Sequence, residues 1–444
     1  MAEEVSALEV LRERLRLGEV TPAEVMAKAQ RRADVSLSEL PVCLNGGKAP
    51  GETYLWRDAD AAIRYAEALP GRFPDLAARP PLYGVPVSIK DCFDVAGTVT
   101  SCGSRFYAGL HRPMSANAWI VERLLAAGAV VTGKTHLHQL AYGITGENED
   151  FGDCLQPRDR TLLTGGSSSG AVASVQEGSA MVAVGTDTGG SVRVPAALCG
   201  LAGYRASHAL FPEEVCWRGG AHLAASFDTL GLLFGDLRDG PLLGNAVFGQ
   251  EIAAAPVAPR IGFASEEFLD DCGSDVMAAY LVWKLRLAGR GARLERFDTE
   301  FWEEAKEIFM PIQASEAAAL HRGHFEQFEK AIGERLAWGA SIPDAELAEL
   351  RRRHKEFCAK MDELFKRFDF LLLPCAPVSR LVAGEDQSST RARILRYTAP
   401  ISLAGLPTVT LPGEVVGGYF GTGMQLVAAK GRDAELLAFA AAIA

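Results

Sequence analysis

The chain has 444 residues, 48% hydrophobic and 23% charged, which is enough apolar side chain for a large buried core. Its 45 basic and 56 acidic residues leave a net charge of −11, so it has no electrostatic reason to bind nucleic acid or an anionic membrane. The segment MAEEVSALEV lacks a basic stretch followed by an apolar run, and no segment nears the ~18–20 uninterrupted apolar residues of a membrane-spanning helix. A cytoplasmic protein is the expectation.

Nine cysteines, an odd number without a CxxC pair, predict free buried thiols, with no zinc site and no disulfide framework. Residues 5–17 repeat apolar side chains at helical spacing. Thr21-Pro22-Ala23-Glu24 then reads as a helix start, with Thr21 as N-cap, Pro22 at the first position and Glu24 closing a capping box. That helix is expected to run to about Ala33. Ala59–Ala68 is a helix with Asp58 as cap. Val85–Ile89 is a buried-strand pattern that ends on Lys90.

Asn117–Ala127 reads as a helix capped by Asn117, and Ala129–Thr132 as a strand. His136–Ile144 reads as helix then loop. Met181–Val184 and Leu230–Phe234 are buried strands, and a further strand opens near Arg260. Helices are expected over 274–287, 303–310, 314–338 and 344–367. Strands follow at Phe368–Leu373, Thr408–Pro412 and Gly423–Val427, and a helix closes the sequence at Ala434–Ala442. Strands alternating with helices on either side of a helical block predict an α/β protein with one large mixed sheet.

The chemistry concentrates in Thr164–Arg205. Gly165-Gly166-Ser167-Ser168-Ser169-Gly170 lacks the Gly-Lys-Ser/Thr ending of a phosphate-binding P-loop. It does match the GxSxG nucleophile-elbow pattern, which makes Ser168 a nucleophile candidate. A glycine-rich turn between strand and helix is the plain structural alternative. The second loop, Gly185–Arg193, follows a buried strand and presents consecutive backbone N–H groups around Ser191. Such a loop suits an oxyanion hole, and a serine at its end suits a nucleophile. No histidine lies in either loop. A buried lysine can act as base instead, because burial disfavours its charged form.

PVSIKDCFDVAGTVTSCGS (86–104), GGSSSG (165–170) and GTDTGGSVRVPAALCGLAGYR (185–205) together resemble the amidase signature family. ISLAGLPTVTLPGEVVGGYFGTGMQLVAAKGRDAELLAFA (401–440) resembles that family's terminal segment, and the 24-residue step from Ser167 to Ser191 is the family's spacing. The resemblance implies the amidase signature fold, a large mixed twisted sheet covered by helices on both faces. It implies one domain over 1–444, with its core at about 55–260 and 366–444 and a helical insertion at about 260–365.

Carried over residue by residue, the resemblance implies a Ser-cisSer-Lys triad. Ser191 is the acyl-enzyme nucleophile, Ser167 the bridging serine after a cis peptide bond, and Lys90 the general base. The N–H groups of Thr188, Gly189, Gly190 and Ser191 form the oxyanion hole, and Asp187 and Arg193 support the loop. Tyr142 falls where the family lines its substrate pocket, and Phe93 and Cys92, next after Lys90, are further lining candidates. No cofactor and no metal are implied.

Gly203–Ser207 and Ser226–Gly231 look most like the indole-acetamide-hydrolase branch, which also contains a non-catalytic import-receptor relative. Thr164 stands where proline is usual before the first Gly-Gly, and Gln156-Pro157-Arg158-Asp159 only loosely follows the usual Asn-Pro-Trp-Asp. These departures bear on substrate choice. The expected partner is a small amide, with aryl-acetamides such as indole-3-acetamide as one candidate and a homodimer as the assembly to test. Two other readings use the same fold: a non-catalytic docking protein, and the glutamine amidase subunit of a tRNA-dependent amidotransferase.

Overall fold

A computed structural model describes residues 5–44, 47–413 and 421–444. Residues 1–4 of the N-terminal segment and 414–420 of the C-terminal motif lie outside the described residues.

Local sequence decides the first helices. Ser6 caps Ala7–Leu17 by accepting from the Glu9 N–H, and Gly18 ends that helix in the left-handed conformation. The Thr21/Glu24 capping box is present, and its helix runs from Pro22 to Ser38, further than expected. Asp58 caps Ala59–Arg72. Asn117 does not cap the next helix, which spans Trp119–Ala126. Its side-chain oxygen instead accepts from the Ala96 N–H at 2.8 Å.

In chain order the first strands are β1 (Pro50–Gly51), β2 (Tyr54–Trp56), β3 (Pro86–Lys90), β4 (Val130–Thr135) and β5 (Asp153–Gln156). Next come β6 (Asp159–Leu163), β7 (Val182–Asp187), β8 (Ala202–Arg205), β9 (Thr229–Phe234) and β10 (Arg260–Phe263). The last are β11 (Arg293–Arg296), β12 (Phe370–Pro374), β13 (Thr408–Leu411) and β14 (Met424–Ala428). Eleven form one mixed sheet in the order β11-β10-β12-β14-β13-β8-β9-β7-β3-β4-β2, and β1, β5 and β6 form a small second sheet.

Every residue of β3, β7, β9, β12 and β14 is buried, so both faces of the sheet centre are covered. The helix Ser169–Glu177 packs against β3, β7 and β9, and Asp433–Ala442 packs against β13 and β14. The block expected as a helical insertion at 260–365 first adds β10 and β11 to the end of the same sheet. Its helices then span Ser274–Gly289, Ala305–Leu320, Lys330–Ser341 and Asp344–Arg367.

The helix expected within His136–Ile144 is only a short 3₁₀ turn, with Leu140 and Ala141 at positive φ. There the backbone bonds to other segments: the His138 N–H donates to Ser167 O at 3.2 Å and the Leu140 N–H to Cys102 O at 2.8 Å. The nine cysteines are free thiols, six of them buried. Among the described residues no helix is long and apolar enough to cross a membrane.

Candidate active site

β3 lies between β4 and β7 in the sheet, so its last residue, Lys90, delivers its side chain to the interior. Lys90 is fully buried. Its Nζ donates to Ser167 Oγ at 2.7 Å, to Thr186 Oγ1 at 2.7 Å and to Ser168 Oγ at 3.2 Å. It has no ion-pair partner among the described residues. The other buried lysine at this level, Lys134, has one: its Nζ sits 2.5 Å from Asp91. Burial lowers the Lys90 pKa from 10.5 to about 8, against the opposing influence of Cys92, Asp187, Asp228 and Cys102. An appreciable share of Lys90 is therefore neutral near physiological pH.

Both serine loops converge on this lysine. The Gly166–Ser167 peptide bond is cis, and Ser167 is fully buried. The Ser168 N–H donates to Ser191 O at 3.2 Å, tying the first loop to the second. Ser191 is 4% exposed, and its hydroxyl makes no hydrogen bond to a described residue. It lines a narrow cleft with Tyr142, Thr188, Gly189, Gln313, Arg391 and others.

Asp187, the last residue of β7, organises the second loop. Its carboxylate accepts from the N–H groups of Gly190 (2.9 Å), Val192 (3.1 Å) and Arg193 (3.3 Å). It also pairs with Arg193 at 2.8 Å and with Arg205 at 3.2 Å, all three side chains being fully buried. Burial alone would push this carboxyl up; the two guanidiniums and the loop N–H groups outweigh it and hold the acid well below the usual range. The helix Ser388–Leu403 braces the loop from outside. Thr398 Oγ1 donates to Gly189 O at 2.6 Å, and Ser402 Oγ accepts from Arg193 Nη2 at 2.6 Å. Thr188 is fixed by its own hydroxyl, which donates to Asp228 Oδ1 at 2.5 Å.

The expected residues separate into three groups. Lys90, Ser167, Asp187, Arg193 and Ser191 come together, and Tyr142 lines the cleft beside Ser191. Gly190 is placed differently from expectation: its N–H donates to Asp187, leaving the N–H groups of Thr188, Gly189 and Ser191 without a partner among the described residues. Phe93 and Cys92 do not line this cleft. The chain turns tightly after β3, with the Phe93 N–H on Lys90 O at 3.1 Å, and this carries Phe93 into the core, where it stacks on Trp217.

Four residues join the site without having been singled out: Thr186, Arg205, Gln313 and Arg391. Thr186 stood in the quoted loop at a strand position facing Lys90, and alternation along β7 was the available signal. Gln313 and Arg391 sit on helices far away in sequence, and nothing local pointed to them.

The amidase family model matches residues 52–437. Over 415 residues the chain is 31% identical to 1-carboxybiuret hydrolase subunit AtzE of Pseudomonas sp. (strain ADP), covering 86% of this chain and 88% of that protein. It is 32% identical to 2-amino-5-chloromuconic acid deaminase of Comamonas testosteroni, covering 82% and 81%. A crystal structure of an amidase superposes with a TM-score of 0.86 at 28% identity, covering 98% of each chain.

Proposed function

The chain belongs to the amidase family of amidohydrolases acting on C–N bonds, and we propose that it hydrolyses a small linear carboxamide through an acyl-enzyme on Ser191. One observation carries the assignment of roles: a fully buried lysine without a counter-ion, 2.7 Å from Ser167 Oγ, beside a loop that ends in Ser191.

Neutral Lys90 takes the Ser167 proton while Ser167 takes the proton of Ser191, and Ser191 Oγ attacks the amide carbon. The negative charge that develops on the carbonyl oxygen is met by the N–H groups of Thr188, Gly189 and Ser191. Because Asp187 already fixes the loop, these donors need no rearrangement as the charge forms. The relay then runs in reverse. The Lys90 ammonium returns a proton through Ser167 to the leaving nitrogen, the C–N bond breaks, and ammonia or an amine departs. A water activated by the same lysine and serine attacks the ester, releases the carboxylate and restores Ser191.

The reading is tested with a fluorophosphonate, which phosphonylates an activated serine with loss of fluoride. Peptide mapping is expected to find the adduct on Ser191, and Ser191→Ala is expected to remove both labelling and turnover while the protein stays folded. An adduct on Ser168 would identify a nucleophile elbow instead, and full activity in folded Ser191→Ala would overturn the assignment.

A further inference from the structure

Arg391 lines both the narrow cleft that contains Ser191 and a wider cavity of about 820 Å³ next to it. Its guanidinium forms no hydrogen bond and no ion pair with a described residue. Two other arginines of the same helix do have partners: Arg393 pairs with Asp271 at 2.9 Å, and Arg396 with Asp270 at 2.9 Å and Glu303 at 3.0 Å. The second arginine of the wider cavity, Arg335, lies over the Tyr142 ring at 4.5 Å. Its Nε donates to Ala331 O, within its own helix, and its Nη1 is buried without a partner.

Burial lowers both pKa values, that of Arg335 to about 10, where the Arg391 charge adds to the effect. Both nevertheless remain cations at neutral pH. Two partly buried like charges without a counter-ion are costly unless an anion joins them.

The carboxylates of the wider cavity do not supply that anion. Glu147 and Asp153 pair with Lys48, Glu334 lies 3.9 Å from Lys330, Asp386 accepts from Ser388, and Glu149 forms no ion pair with either arginine. Glu329, the carboxylate felt by Arg335, accepts from the Glu149 N–H at 2.9 Å and makes no ion pair with the arginine.

We propose that the substrate carries a carboxylate besides its amide, and that Arg391 and Arg335 hold this carboxylate where the wider cavity meets the Ser191 cleft. Planar guanidiniums match a carboxylate through paired N–H···O bonds, so the two arginines select for charge and set the distance from carboxylate to scissile amide. The substrate class is a short amido acid. A neutral aryl-acetamide leaves both cations unmatched. The inference rests on Ser191 as the nucleophile.

The experiment compares the half-amides malonamate, succinamate and glutaramate with their methyl esters, following ammonia release by the wild type, Arg391→Gln, Arg335→Gln and Arg391→Lys. A parallel arm measures protection of Ser191 from fluorophosphonate by the same compounds, which needs no turnover. Circular dichroism verifies that each variant is folded. For at least one chain length the wild type is expected to favour the free acid over its ester in kcat/KM by on the order of 10², because a site built for a polar group rejects the analogue lacking it. Both Gln variants are expected to lose most of that ratio, chiefly through KM, and Arg391→Lys to keep part of it.

Equal use of acid and ester, a ratio unchanged in both Gln variants, or Ser191 labelled without either turnover or protection by any free acid overturns the carboxylate proposal alone. Absence of labelling at Ser191 overturns the acyl-enzyme reading, and the carboxylate proposal with it.

Discussion

Thr186 Oγ1 accepts a hydrogen bond from Lys90 Nζ at 2.7 Å, the same distance at which Ser167 Oγ accepts one. The lysine is therefore held from two sides, by Ser167 on one and by a residue of β7 on the other. Removing the Thr186 hydroxyl leaves the ammonium with one fewer acceptor in a buried site. A hydrogen bond to a charged group is worth about 1.5–3 kcal/mol. Thr186→Val, close in volume, is expected to lower kcat/KM by about 10–100-fold. It should also shift the acidic limb of the pH–rate profile to lower pH, since the charged form loses support. A stopped assay of ammonia release across pH 6–10 reads both effects, and an unmoved profile with full rate would remove Thr186 from the relay.

Lys90 also makes a prediction in which stability and activity move in opposite directions. Its folded pKa is lowered to about 8 from 10.5. Below about 8 the lysine is charged in both the folded and unfolded states, and the folded state carries the full penalty of the buried charge. Between about 8 and 10.5 the folded protein releases the proton while the unfolded chain keeps it, so stability rises with pH through that window. The penalty is on the order of 3 kcal/mol. Lys90→Met is expected to abolish turnover and to raise the melting temperature at pH 7 by a few degrees, less than the full penalty because Ser167 and Thr186 lose their partner. That gain should shrink toward pH 10. In the wild type, kcat/KM should climb with pH and level off above about 8, where the base is neutral. A bell centred below pH 6 would exclude lysine as the base.

Much of this site could be read from the chain, and the unread parts share a physical cause. Lys90 ending an apolar strand, two glycine-flanked serine loops and the Thr21/Glu24 capping box are local features, and the structure keeps each of them. Arg391 is not local. Its helix, Ser388–Leu403, went unread because nearly every residue from Ile394 to Leu403 is buried and Pro400 interrupts the pattern, so no amphipathic stripe marks it. Arg391, Leu395, Thr398 and Ser402 share one face at helical spacing and meet the Ser191 loop, but only the fold makes that face meaningful. The turn at His136–Ile144 failed as a helix for a related reason: its backbone partners are Ser167 and Cys102, which sequence periodicity does not show. Phe93 was an expected lining residue because it neighbours Lys90 in sequence, and the tight turn after β3 sends it elsewhere.

Gly190 tests the loop geometry. Its φ is 121°, a region that L-residues rarely adopt, and an added Cβ would stand 2.9 Å from Thr398 Cγ2 and 3.1 Å from Ile144. Gly190→Ala must move the loop or the bracing helix. It is expected to cost about 1–3 kcal/mol of stability, as for other residues held in a sparsely populated conformation. Because the neighbouring N–H groups shift with it, turnover should fall by on the order of 10²–10³. Urea denaturation and steady-state kinetics on the same preparation separate the two losses. Wild-type turnover in a destabilised Gly190→Ala would show that the loop N–H groups are not the oxyanion donors.

Asp187 is where the fold and the chemistry depend on one carboxylate. It holds two fully buried arginines and three loop N–H groups at once. Replacing it by asparagine keeps the shape and removes the charge, so Arg193 and Arg205 remain buried with no anion between them. Breaking a buried ion pair from one side costs about 3–5 kcal/mol. Asp187→Asn is expected to lose about that much in urea denaturation at pH 7 and to lose turnover as the loop relaxes. The sign with pH follows from the depressed carboxyl: its stabilisation is fully present above the ordinary aspartate pKa and fades only in strong acid. The gap between wild type and variant should therefore stay constant from pH 8 down to pH 5 and narrow only at more acidic pH. A gap that closes near pH 6 would mean that another group carries the stabilisation.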